Sequence, residues 1–314
     1  MLALARLGQG AAASAFSPAS SAAVARLAGK ERLGRYFGRY GAWKSLGYVL
    51  GPLIGVVLVR WAGLEALYIA VGALGAAAAV WVLYAMPALP VVPRPRYTML
   101  DLMRQTTERG FLIPTLVVAT TTAILGVAVG FLPLLANHLD LHPLAGAAAV
   151  AILALVSTIV QPVVGRLHDQ GRVTTRAGST LGLLLAAAAL AAIAVLPRAV
   201  TLFTVAAALG ITVGTVTPLA FAHLAAATPD ERIGRTMGIA ELDRELGDAG
   251  GPLLVGAIAT TWTLPAALGI LAALSAATGA ASWTSLHEKP CVVLPGFRRP
   301  VDRGRDAVLR APSR

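Results

Sequence analysis

The 314 residues are 57% hydrophobic and only 13% charged, with a mean hydropathy of +0.73, which exceeds what a soluble core needs and excludes one compact soluble domain. The net charge of +11 raises nucleic acid as a partner, and its placement along the chain excludes it. A single cysteine, Cys291, excludes an internal disulfide and any cysteine-rich metal site.

Nine apolar stretches recur in chain order, at about 2–27, 45–61, 64–86, 111–136, 143–165, 177–197, 200–227, 246–263 and 266–285. Each is long enough for a hydrocarbon layer of about 30 Å, which takes roughly 20 helical residues. Unpaired backbone groups are too costly in lipid, and strict period-two alternation is absent, so the stretches are predicted to be helices. The expected fold class is an all-α integral membrane protein. The first run lacks a short apolar core with a small-residue cleavage site, so it reads as a span and not a signal peptide.

Assigning the loops alternately to two sides places 23 of the 26 Lys and Arg on one side. They fall near 26–44, 94–109, 166–176 and 232–244 and in the tail from Lys289; Arg60 and Arg198 lie opposite, and Arg6 lies inside the first span. The positive-inside rule makes the crowded side cytoplasmic, so the C-terminus is expected there and the charge reports topology. The Pro- and Gly-containing basic tail, 287–314, is predicted to be disordered and to touch anionic lipid at about 1 kcal/mol per basic residue. Arginine outnumbers lysine 23 to 3 in an alanine-rich chain, a bias suggesting bacterial coding and hence an inner-membrane location.

The octet ERLGRYFG at 31–38 returns as ERIGRTMG at 231–238. A shift of 200 aligns 30–53 with 230–253 without a gap, and ten of the 24 positions are identical: Glu31, Arg32, Gly34, Arg35, Gly38, Leu46, Gly47, Gly51, Pro52 and Leu53. Gly10 and Pro18 match Gly210 and Pro218 at the same shift. Both octets sit between an out-to-in and an in-to-out span, so the duplication is parallel, with an axis along the membrane normal, a transporter design.

Three motifs resemble those of the major facilitator superfamily. Arg6, Gln9 and Gly10 form RxxQG, similar to the family's fourth helix. Gly47, Gly51, Pro52 and Gly55 form GxxxGPxxG, like the fifth-helix motif of proton-driven antiporters, with Val56 where a closing glycine is usual. Gly165, Leu167, Asp169, Gly171 and Arg172 resemble the loop between helices eight and nine, one residue short. The resemblance implies two six-helix halves, with the nine spans standing for helices four to twelve. The expected organisation is a partial first half at 1–86, a cytoplasmic linker at 87–110, a six-helix half at 111–286 and the tail. The repeat places the partner of the second half's opening about 90 residues before Met1, so the start reads as truncated.

Candidate residues follow from the cost of polarity in lipid. An arginine in hydrocarbon costs roughly 2.5 to 3.5 kcal/mol, so Arg6 is expected either to serve proton coupling or substrate binding, or to reach the outer interface. Gln9 would bond substrate or a neighbouring helix. Asp248, at the start of a span, would bind a proton or simply favour a helix N-terminus; His223 is a weaker coupling candidate near the cytoplasmic end. Gly47, Gly51, Pro52 and Gly55, with Gly247, Gly251 and Pro252, would permit close helix approach or act as hinges. Glu31, Arg32, Arg35, Glu231, Arg232, Arg235, Gly165, Asp169 and Arg172 would form a cytoplasmic gate or a solvated basic loop.

No enzyme signature is present: HExxH, GxSxG and GxxxxGK[ST] are all missing, and no metal site or cofactor is implied. The function expected from the resemblance is secondary active transport by alternating access, as proton-coupled export of small organic or drug-like molecules. The partners are then a small-molecule substrate, protons and the bilayer. The alternative is a truncated or non-transporting membrane protein without a complete substrate cavity.

Overall fold

The computed structural model describes residues 2–87, 109–142 and 144–286, with side chains for all of these except 2–6 and 109–110. The tail lies outside the described residues, as does the linker apart from its two ends.

Eight α-helices run through the described residues: α1 (Leu2–Ala28), α2 (Leu33–Ala85), α3 (Arg109–His138), α4 (Leu144–Asp169), α5 (Thr175–Val195), α6 (Ala199–Ala227), α7 (Ile233–Thr261) and α8 (Leu264–Ser285). A short 3-10 turn, Asp230–Arg232, precedes α7. Six of the eight are long and apolar enough to cross a membrane by length and composition. The other two are α1, rich in Ala, Ser and Gly, and α7, interrupted by Glu241, Asp243, Arg244, Glu245 and Asp248.

Local signals set the helix ends. Thr174 caps α5 by accepting from the Ala177 amide at 3.1 Å, and Thr263 caps α8, with Pro265 in the first turn. After α4, Gly171 takes φ +71 while Gly171 N–H donates to His168 O and Arg172 N–H to Leu167 O, a Schellman closure that favours glycine. The spans read at 45–61 and 64–86 are joined without a loop: α2 is broken at one residue, Gly63, whose φ of 83 and ψ of 172 suit glycine alone.

α2 and α7 begin at Leu33 and Ile233, about three turns before the apolar runs read at 45 and 246. The octets are therefore the first turns of helices, and Lys44 and Arg244 lie inside helices, although charge alone assigned both to loops. Hydropathy cannot separate a charged residue lining an internal cleft from one in a loop, because both depress the same window.

Small residues make the close crossings. α4 packs on α6 where Gly210 meets Leu153 and Gly214 meets Ser157 and Val160; α5 packs on α8 where Gly279 meets Thr180 and Leu183. α3 packs on α7, α2 on α4, and α1 on α7. The apolar core runs through α3 to α8, with Val117, Ile124, Leu183, Leu202 and Leu271 at 1% exposure or less. By contrast the far part of α2 is bare: Leu53, Val56, Trp61 and Tyr84 are 59%, 71%, 85% and 88% exposed. In water such a face would aggregate, and lipid is the solvent that suits it.

Candidate functional site

The duplicated helices α2 and α7 face each other across an open cleft. α2 supplies Phe37, Tyr40, Gly41, Lys44, Ser45 and Tyr48; α7 supplies Glu241 and Arg244. Thr122 and Leu125 of α3, Gln161 of α4, and Val213, Thr217, Pro218 and Phe221 of α6 complete the wall. Lys44 and Arg244 are equivalent positions of the repeat, each 11 residues into its helix, so each lies about 17 Å along the axis. That is a little over a third of the way along the 29 residues of α7.

Glu241 is the buried centre of the charge cluster. Its side chain is 2% exposed; Oε2 accepts from Arg244 Nε at 2.7 Å and lies 3.9 Å from Lys44 Nζ. Its other oxygen, Oε1, is buried and has no hydrogen-bond partner among the described residues. Arg244 turns a second arm toward Glu245, a residue 54% exposed. Lys44 Nζ also stands 5.3 Å from the centre of the Tyr40 ring, a cation-π contact, and Tyr40 Oη shares a 2.7 Å hydrogen bond with Ser20 of α1.

A second polar group faces the charges from α4. Gln161, 1% exposed, donates from Nε2 to Ser45 Oγ at 2.7 Å and to Ser157 Oγ at 2.9 Å. Its Oε1 lies against Gly41, where any side chain would collide with it. The rest of the wall is mostly apolar, with Phe37 and Phe221 ring centres 5.6 Å apart and the threonines Thr122 and Thr217 among it. The arrangement joins a charged floor to an aromatic wall, suited to an amphipathic organic solute.

The residues singled out in the sequence fall in several places. Gly34 and Gly165 meet where α2 crosses α4, and Asp169 accepts the Gly34 and Arg35 amides at 2.8 and 2.9 Å, capping α2 from a neighbouring helix. Arg35 and Arg235 are half-buried, whereas Glu31, Arg32, Glu231, Arg232 and Arg172 are exposed. Gly247 and Gly251 are buried against Ala119, Thr122 and Ala123 of α3; Gly47, Gly51 and Gly55 have nothing within 4 Å among the described residues. Pro52 and Pro252 both lie within their helices. Asp248 is half-buried beside Gly126, His223 is in the last turns of α6 away from the cleft, and Gln9 is exposed on α1. The side chain of Arg6 lies outside the described residues.

Thr115 and Thr122 bond carbonyls of their own helix, the commoner choice for buried threonine. Glu241, Arg244, Lys44 and Gln161 were not singled out by sequence reasoning. Two signals pointed to the three charged residues, the shift of 200 that pairs Lys44 with Arg244, and the spacing of Glu241, Arg244, Glu245 and Asp248 at i, i+3, i+4 and i+7 on one helical face.

Such a bundle, with a charged cleft between duplicated helices, defines a multi-pass membrane protein of transporter architecture. The chain belongs to the Major Facilitator Superfamily, whose family model matches residues 1–242 and 115–307. Its fold is similar to the crystal structure of the human organic anion transporter MFSD10 (TETRAN), with a TM-score of 0.71 and 19% identity, covering 85% of this chain and 67% of that one. None of the curated proteins matches the sequence.

Proposed function

We propose that the chain works in secondary active transport, exposing the cleft between α2 and α7 alternately to either side of the membrane and coupling the movement of small organic or drug-like molecules to protons. The observation that carries this reading is Glu241: a buried carboxylate bracketed by two cations from opposite repeats, inside a bundle where ionised groups are retained for function. Repeats that meet at a site near the middle of the bilayer are the arrangement in which rocking switches access. The description of MFSD10 as an organic anion transporter fits an organic solute. Outward movement in exchange for protons is the direction attached to the Gly47, Gly51, Pro52 and Gly55 motif, and belongs to the same proposal, as does an inner-membrane location with the octets and C-terminus in the cytoplasm.

Flux into proteoliposomes under an imposed pH gradient tests it, with a panel of acidic, basic and neutral aromatic solutes. The expected result is gradient-dependent movement of at least one class, reduced at least about tenfold by Arg244→Ala with the protein still monodisperse. Leakage of every solute equal to that of protein-free vesicles would favour a non-transporting protein. Topology is checked on a Cys291→Ser background by labelling Arg35→Cys and Arg235→Cys in intact cells: both should be reached only after the membrane is opened. Labelling on opposite faces would make the repeat inverted and end the proposal.

A further inference from the structure

A second arginine stands outside the cleft, on the other side of the bundle. Arg176 lies in the first turn of α5, and its guanidinium carbon is 4.0 Å from the centre of the Trp283 ring, in the last turn of α8. Neither residue lines the cleft. Arg176 is half-buried, and its Nε is shielded without a hydrogen-bond partner among the described residues, where it also joins no ion pair. α5 and α8 contain no Asp or Glu, and Asp169 at the end of α4 is engaged by the Gly34 and Arg35 amides. The chain therefore sets a cation on an indole and brings no carboxylate to it.

The surroundings say what the counter-ion is. Trp283 is 50% exposed, and Leu181 and Leu184 of α5 are exposed on the same outer surface, while Thr180 and Leu183 turn inward to meet Gly279 of α8. An apolar seam thus runs from the Arg176–Trp283 pair along the span. A tryptophan at the end of a spanning helix marks the level of the lipid headgroups. The start of α5 and the end of α8 lie side by side there, so their partial charges of opposite sign offset each other, and the guanidinium decides the sign of the patch. Arg166 and Arg172, both exposed, lie just before α5 in the sequence and add to it. A zwitterionic lipid would carry its own ammonium into these basic surroundings; an anionic one brings only the charge that is lacking.

We propose that Arg176 and Trp283 form a binding site for the phosphodiester of an anionic phospholipid, with the phosphate paired to the guanidinium and an acyl chain lying along the α5–α8 seam beside Leu184. An arginine packed over an indole is pre-oriented, and its fork of N–H donors matches two oxygens of one phosphate. Because the two residues belong to different helices, the bound lipid ties the start of α5 to the end of α8. The end of the bundle concerned is the one that carries the octets, where an anionic leaflet would face a basic surface. This inference goes beyond the transport reading and does not depend on it.

The test delipidates the full chain in a neutral detergent and titrates it with phosphatidylglycerol or phosphatidylcholine of identical acyl chains, counting bound lipids by native mass spectrometry. A first phosphatidylglycerol should bind at least about fivefold more tightly than the first phosphatidylcholine. Arg176→Gln and Trp283→Leu should each weaken that first step at least about fivefold. Arg176→Lys, which keeps the charge and loses the fork, should fall between parent and Arg176→Gln, and reads the site even if Trp283→Leu fails to fold. Arg298→Gln with Arg299→Gln removes two charges from the tail and should leave the first step unchanged, which a diffuse attraction to basic residues would not. Equal affinity for the two lipids would mean that Arg176 only reaches interfacial water, and would overturn the proposal. So would a first step unmoved by Arg176→Gln, one lost with the tail charges instead, or one displaced by millimolar inorganic phosphate, which would make the site one for free phosphate.

Discussion

Among the described residues, Gly34 and Gly38 of the first copy of the duplicated segment touch α4 while Gly47 and Gly51 have nothing within 4 Å. In the second copy the pattern is reversed: Gly247 and Gly251 press against α3, Gly234 is open, and Gly238 reaches only Pro18 at 4.0 Å. The two copies carry the same glycines and use opposite ones. Duplication therefore transmits a helix with two possible contact faces, and the helix that arrives decides which face becomes an interface. One element is used in both copies: the cation 11 residues in, at Lys44 and Arg244, faces the shared cleft.

The strongest way to break this comparison is to fill equivalent glycines. A Cβ at Gly251 would stand 2.6 to 2.9 Å from the backbone of Ala123, and one at Gly247 would meet Ala119 and the Thr122 hydroxyl. Backbone cannot step aside as a flexible side chain does, so Gly247→Val and Gly251→Val should each cost about 3 kcal/mol. Gly47→Val and Gly51→Val, with open space around them, should stay within about 0.5 kcal/mol. Thermal unfolding of the four variants in one detergent reads the difference. Equal losses in both copies would mean that a helix packs on Gly47 and Gly51 in the folded protein.

The converse pair probes the octets. At Gly34 a Cβ would lie 2.5 Å from Gly165 O and 2.8 Å from Asp169 Oδ1, so Gly34→Ala should destabilise by about 2 kcal/mol. Gly234→Ala meets nothing within 4 Å and adds a better helix former, so it should be neutral or stabilising by about 0.5 kcal/mol. A matching loss at Gly234 would show that the second octet has a neighbour that the contacts of α7 do not contain.

Why one half of this picture was legible and the other was not follows from what each signal measures. Apolar length pointed to the helices, six of which are long and apolar enough to cross a membrane, and the repeat register pointed to close approach at Gly247 and Gly251, because small residues four apart on a helix suit that contact in either copy. Neither signal could say that Gly47 and Gly51 stay open, since that depends on which helix lies alongside. The cleft was hidden for another reason. Lys44, Glu241 and Arg244 lower the local hydropathy, so the starts of α2 and α7 read as loops about three turns too late. Gln161 stands in an apolar run with Ser157 of its own helix as one partner, and the crossing of α4 with α2 supplies Ser45 as the other.

The smallest expected effect concerns how the two helices begin. Asp169 reaches from the end of α4 to accept the Gly34 and Arg35 amides, so the first turn of α2 is capped by another helix. α7 follows its own 3-10 turn, in which Arg232 N–H donates to Pro229 O at 2.9 Å and Asp230 and Glu231 supply negative charge. Asp169→Ala removes two charge-assisted hydrogen bonds and leaves two donors exposed near the α2–α4 crossing, and should cost about 1 to 2 kcal/mol. Asp230→Ala removes only a favourable interaction with the helix dipole, and should cost about 0.3 kcal/mol, fading with salt. Hydrogen exchange adds a readout that total stability lacks: the amides of Gly34 and Arg35 should lose protection in Asp169→Ala while those at the start of α7 keep theirs. If both helix starts open together in that variant, the cap is part of one cooperative unit spanning the repeats, and the two copies are coupled through α4 more tightly than their separate contacts indicate.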